Sequence, residues 1–193
     1  VTVESGATLM QIANTLFDKN IITNKQTFQL AVRLMGKERK IPIGTFNLVN
    51  AESNYDIINQ IIYGTPEIKK VRILEGWNIN QTADHLSKEM NLNSTKIIEL
   101  CKDTIFVKSN GVSGSSLEGY LFPDTYFFYV GDKPASILKH LIKMNESFWT
   151  KNHLIQAKKL NLSKHQIMTL ASIIEGEAIY DSERAKISAV YHN

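Results

Sequence analysis

With 193 residues, 43% hydrophobic and 21% charged, the chain can form an ordinary core in one large or two small domains, and disorder is not expected. A formal net charge of +3 is too small to imply nucleic acid, and the clusters Lys37 to Lys40 and Lys69 to Arg72 read as solvated surface. One cysteine, Cys101, excludes an intrachain disulfide and a cysteine-rich zinc site, and the five histidines lack the spacing that puts two ligands on one helix face, so no metal or cofactor is expected.

The front of the chain holds an internal near-repeat: Gly6, Gln11, Ala13 and Leu16 recur seventy positions later as Gly76, Gln81, Ala83 and Leu86. In each copy a short β-like stretch, Val1 to Val3 or Val71 to Leu74, meets a Gly turn and then a helix. The apolar side of that helix is Leu9, Ile12, Ala13 and Leu16 in the first copy and Ile79, Ala83 and Leu86 in the second. A second helix follows in each, over 25–34 with Phe28 and Ala31 inward and over 94–101 with Ile97 and Leu100 inward; Thr23-Asn24 caps the first. Residues 44–48 alternate like a strand, and 54–63 carry Ile57, Ile58, Ile61 and Ile62 at helical spacing until Gly64-Thr65-Pro66 stops them. A domain boundary is expected near residue 68.

Residues 109–116, rich in Ser and Gly, read as a connector or the rim of a cleft. The densest aromatic stretch follows, LEGYLFPDTYFFY over 117–129. Helices are then expected over about 134–149, with Ile137, Leu138, Leu141, Ile142 and Phe148 inward, over about 163–174, and from Asp181-Ser182 onward with Ile187, Val190 and Tyr191. No apolar run reaches the roughly 18 residues a membrane helix needs, and the first thirty residues lack the charged start and apolar middle of a signal peptide. A chain that opens on Val1 and stops at Asn193 inside a helical pattern reads as an excised piece. Phosphate loops and nucleophile elbows are missing, so phosphoryl transfer and serine hydrolysis have no support.

The chemistry concentrates in LASIIEGEA, residues 170–178, where an apolar run delivers Glu175 and Glu177. A carboxylate sheltered beside Ile173 and Ile174 holds its proton more readily and can protonate a leaving oxygen, which makes glycosidic bond cleavage the first hypothesis. Residues two apart on a helix diverge by roughly 200°, so at most one of the two acids serves unless Gly176 breaks the helix. Glu177 falls on the side of Ile173 and Ile174, within reach of backbone or Arg184; Glu175 falls with Ala171 and Ser172, whose small side chains leave room for a ligand. Its bland alternative is a surface Glu at a helix end. If residues 117–126 are extended, Tyr120, Phe122, Asp124 and Tyr126 share one face suited to stacking on sugar rings, with Glu118 nearby; the bland alternative is a hydrophobic strand with a turn at Pro123-Asp124.

LEGYLFPDTY, LASIIEGEA and SERAKISAVYHN, in that order, resemble successive landmarks of the endolytic murein transglycosylase family, also called YceG-like. Ile43-Gly44-Thr45-Phe46 and Leu74-Glu75-Gly76-Trp77 fit as well, and the likeness spans nearly the whole chain. The resemblance implies an α+β protein: a small LysM-like module over 1–68, then a catalytic region over 69–193 that is rich in helices. It implies cleavage between N-acetylmuramic acid and N-acetylglucosamine inside peptidoglycan glycan strands, by an enzyme held on the cytoplasmic membrane by a single-pass anchor upstream, its active part facing the periplasm or extracytoplasmic space. Glu175 matches the family's catalytic Glu, and Glu118, Asp124 and Glu177 match acidic positions of its motifs, so with Tyr120, Tyr126 and Ser172 they are the expected substrate-binding residues. The family continues past Asn193 with an Arg-Leu step and a segment containing Asp-Pro-Thr, so this piece alone is expected to bind glycan at most. Three rivals stay open: a muramidase using water with Asp124 or Glu118 as second carboxylate, a glycan-binding module without catalysis, and an interaction element of a cell-wall synthesis complex.

Overall fold

A computed structural model describes residues 1–4, 6–49 and 53–192. The fold is mixed α+β, dominated by helices with two small two-stranded sheets. It divides into two compact units: Val1–Lys70 with the returning segment Phe127–Lys133, and Val71–Tyr126 with Pro134–Asn193.

In the first unit, β1 (Thr2–Val3) pairs antiparallel with β2 (Gly44–Thr45), Thr2 opposite Thr45 and Val3 opposite Gly44. Helices α1 (Leu9–Asp18), α2 (Lys25–Leu34) and α3 (Asn54–Tyr63) bury one face each: Leu9, Ile12, Ala13 and Leu16; Phe28 and Val32; Ile57, Ile58 and Ile61. Val32 rather than Ala31 is the second inward residue of α2. The expected strand over 44–48 shrinks to two residues, though Phe46 still enters the core at 1% exposure.

The ribbon of β3 (Ile68–Ile73) and β4 (Asp124–Tyr129) runs through both units in sequence. In the second unit α4 (Ile79–Met90) and α5 (Ser94–Lys102) repeat the plan of α1 and α2, burying Ile79, Thr82, Ala83 and Leu86, then Ile97 and Cys101. The recurring Gln has a structural reason. Gln11 closes a capping box with Thr8 at the start of α1, and Gln81 closes one with Asn78 at the start of α4, each side chain returning a bond to the cap residue's backbone. The recurring Gly has one too: Gly6 and Gly76 sit at φ +78° and +75°, where a side chain is strained.

Two short helices interrupt stretches that carry no apolar period: α6 (Thr104–Ser109), capped by Asp103, and α8 (Lys151–Lys159), capped by Thr150. Between them, α7 (Pro134–Phe148) buries Ile137, Leu138, Leu141, Ile142 and Asn145. Phe148, expected inward, is 47% exposed, because the helix ends there and Trp149 takes the buried position. The chain closes with α9 (Lys164–Glu177), a 3-10 turn over Asp181–Glu183, and α10 (Arg184–His192). No described residue of α9 is fully buried, and Val190 and Tyr191 of α10 are exposed. No described helix is long and apolar enough to cross a membrane.

Candidate active site

A cavity of about 570 Å³ opens in the second unit. Three segments build it: the turn and first residues of α4, with Glu75, Trp77 and Thr82; the loop 114–123, with Glu118 and Phe122; and one face of α9, with His165, Met168, Ala171, Ser172 and Glu175. The α9 residues recur three and four apart, the spacing of one helical stripe. Each segment is shaped for the purpose. Ser163 and Gln166 close a capping box that starts α9, Asn78 starts α4, and Gly119, at φ +79°, turns the loop back.

Glu175 stands at the C-terminal end of the α9 stripe with its side chain about one third exposed. Its Oε2 lies 3.0 Å from Nη2 of Arg184, and the same nitrogen lies 3.3 Å from Oδ1 of Asp181. The shelter expected from the isoleucines is thinner than the sequence implied, since Ile173 is 38% exposed and Ile174 only half-buried. Gly176 does not break the helix, which runs on to Glu177 with Ala178 as its C-cap. The two acids therefore diverge, and Glu177 is exposed and outside the cavity lining. Arg184, expected within reach of Glu177, pairs instead with Glu175.

Glu118, like Glu75, is a further acid of this wall. Its Oε2 accepts from the backbone N–H of Ile79 at 3.2 Å, a bond that holds the loop to the start of α4. Ser172 lines the cavity with its hydroxyl donating to the Thr169 carbonyl at 2.8 Å. The aromatic strip is not one extended face: only Asp124–Tyr129 is a strand, and 114–123 bends and turns. Asp124 is exposed outside the lining, with Oδ1 accepting from the Thr125 N–H at 2.6 Å. Tyr126 is buried, donates to the Phe122 carbonyl at 2.8 Å, and has its hydroxyl acidity pushed to about 12 by burial and by Asp124. Tyr120, also buried behind the wall, bonds to Nδ1 of His165 at 2.9 Å, and burial raises its pKa.

The structure thus brings Glu175, Ser172 and Glu118 into one cavity, with Tyr120 behind it, and leaves Asp124, Tyr126 and Glu177 outside the lining. Trp77, His165 and Arg184 join the site without having been singled out for it; the helical spacing from His165 to Glu175 was the available signal. Burial drives the Cys101 thiol up to about 12, which removes it as a nucleophile near neutral pH. Among the described residues no three His, Cys, Asp or Glu side chains converge as a metal site.

The model of the YceG-like family matches residues 1–193. The chain is 28% identical over 209 residues to a protein of Bacillus subtilis (strain 168) named endolytic murein transglycosylase, a match that covers all of this chain and 58% of that protein. A protein of the same name from Streptococcus pneumoniae (strain D39) is 22% identical over 222 residues, with all of this chain and 39% of that one covered. The chain therefore spans between two fifths and three fifths of these relatives. A 2.6 Å crystal structure of a yceG-like protein, lmo1499, from Listeria monocytogenes superposes with a TM-score of 0.55 at 25% identity, covering 95% of this chain and 66% of that one.

Proposed function

The chain belongs to the YceG-like family, and from that premise we propose that it is the glycan-cleaving part of an endolytic lytic transglycosylase, with Glu175 as general acid and then general base. Glu175 protonates the oxygen of the bond from N-acetylmuramic acid to N-acetylglucosamine, and the C1–O bond breaks. The carboxylate so formed takes the proton of the muramic C6 hydroxyl, whose oxygen closes on C1. The product ends in 1,6-anhydro-N-acetylmuramic acid, Glu175 is again protonated, and no water is consumed. Ordinary glycosidases need two carboxylates. A tethered hydroxyl replaces the second through proximity.

The observation that carries this reading is the cavity itself: an acid at one end of a helical stripe, facing a space bordered by Trp77 and Phe122, whose ring faces suit the apolar faces of sugars. Arg184 favours the carboxylate form of Glu175, the form that serves the second, base stage. Its Nη2 contacts both Glu175 and Asp181, so the guanidinium has another carboxylate to pair with while Glu175 carries its proton. The front unit supplies a LysM-like module for the glycan strand, and the whole protein works at the cell envelope from a membrane anchor, beside cell-wall synthesis proteins.

Measured on the full-length protein, Glu175→Gln abolishes release of anhydro-ended fragments from sacculi without changing its melting temperature, whereas Glu177→Gln retains most of the turnover. Full activity in Glu175→Gln overturns the assignment. A muramidase is the second reading, favoured by Glu118 in the same wall. The bond that Glu118 accepts from Ile79 ties up one of its oxygens, which argues against it as the second carboxylate. Product mass separates the two, since hydrolysis adds a water.

A further inference from the structure

Tyr120 and His165 form a built pair that the cleavage step leaves unused. Tyr120 is 7% exposed, a depth at which its hydroxyl needs a partner, and it finds one in His165 Nδ1 at 2.9 Å. The two rings lie nearly parallel, 10° apart with centroids 5.9 Å distant. Gly114 backs them: a side-chain carbon there would stand 3.5 Å from Tyr120 Cε2 and 3.6 Å from His165 Cε1. A buried tyrosine thus fixes the orientation of an exposed histidine. His165 lines the same cavity as Glu175, and its Nε2 has no hydrogen-bond partner among the described residues.

Ten residues of continuous α9 separate His165 from Glu175, a distance of about 15 Å along the helix. That exceeds the length of one sugar ring. In the tautomer in which Tyr120 donates to Nδ1, Nε2 carries the ring proton and donates to an oxygen acceptor. We infer that His165, oriented by Tyr120, is a positioning and specificity residue that holds the acetamido carbonyl or a hydroxyl of an amino-sugar unit remote from the bond cleaved, and so makes the enzyme select longer glycan strands. This rests on the transglycosylase reading above.

The test uses the full-length protein on glycan strands sorted by length, with KM and kcat read separately. His165→Ala raises KM on long strands by about tenfold, the weight of one hydrogen bond in a preorganised site, raises it far less on the shortest, and affects kcat less than KM. Rescue discriminates further. His165→Gln returns an N–H at the reach of Nε2 and restores length selection, whereas His165→Asn returns only a partner for Tyr120 and does not. Melting temperatures run alongside, and if His165→Ala does not fold, the Gln and Asn variants decide alone. A wild-type length dependence in His165→Ala, or equal rescue by Asn and Gln, overturns the inference. Glu175→Gln in the same assay keeps the two claims apart: cleavage by that variant sinks the assignment of the acid, while the length dependence of the His165 variants is read independently.

Discussion

Two carboxylates one residue removed from each other acquire opposite surroundings because a helix turns by about 100° per residue. Glu175 faces the cavity and Arg184, while Glu177 faces solvent. That Glu175 rather than Glu177 lines the cavity was legible from its small neighbours Ala171 and Ser172. The partnership with Arg184 was not, because it depends on a 3-10 turn over Asp181–Glu183 that starts α10 beside the end of α9. Removal of Arg184 tests that contact. Arg184 is about half-exposed and Glu175 about one third, so Arg184→Gln costs less than about 1 kcal/mol in urea unfolding. Its kcat on sacculi falls on the order of tenfold, because the acid loses the group that fixes its carboxylate, and Arg184→Lys recovers part of the loss. A wild-type kcat in Arg184→Gln contradicts the positioning role.

At the level of elements, the helices over 163–174 and from Asp181-Ser182 onward were legible although α9 buries no residue fully, and the two that went unread are the short α6 and α8. α8 buries only Ala157, and α6 spans six residues, too few for a period to show; in both, the cap residue, Thr150 or Asp103, was the readable sign. The aromatic strip looked like one strand because its residue types favour strands, yet Gly119 at positive φ turns its first half into a loop that becomes a cavity wall. The repeat is more informative than its apolar positions alone implied, since Gln11 and Gln81, each the third residue of its helix, close two capping boxes. Thr8→Ala and Asn78→Ala therefore each lower the stability of their own unit by about 1 kcal/mol, measurable by urea unfolding. Asn78 also borders the cavity, so Asn78→Ala slows sacculus digestion while Thr8→Ala does not. Equal effects on digestion would show that the start of α4 is a scaffold only.

For the molecule as a whole, the fold class was readable because amphipathic helices and short strands alternate along the sequence, and the structure is mixed α+β. The excursion of Phe127–Lys133 into the first unit was not readable, because β3 and β4 pair across fifty residues of intervening chain. Cleavage of glycan is a property to be measured on the full-length protein, given that this chain spans 58% of its Bacillus relative. The most direct measurement is digestion of sacculi by that protein in water enriched in heavy oxygen, with mass spectrometry of the newly formed ends. Internal ring closure predicts anhydro ends that carry no heavy oxygen, formed by the wild type and lost in Glu175→Gln. New reducing ends bearing one heavy oxygen would mean that water attacked the sugar, and would contradict the account.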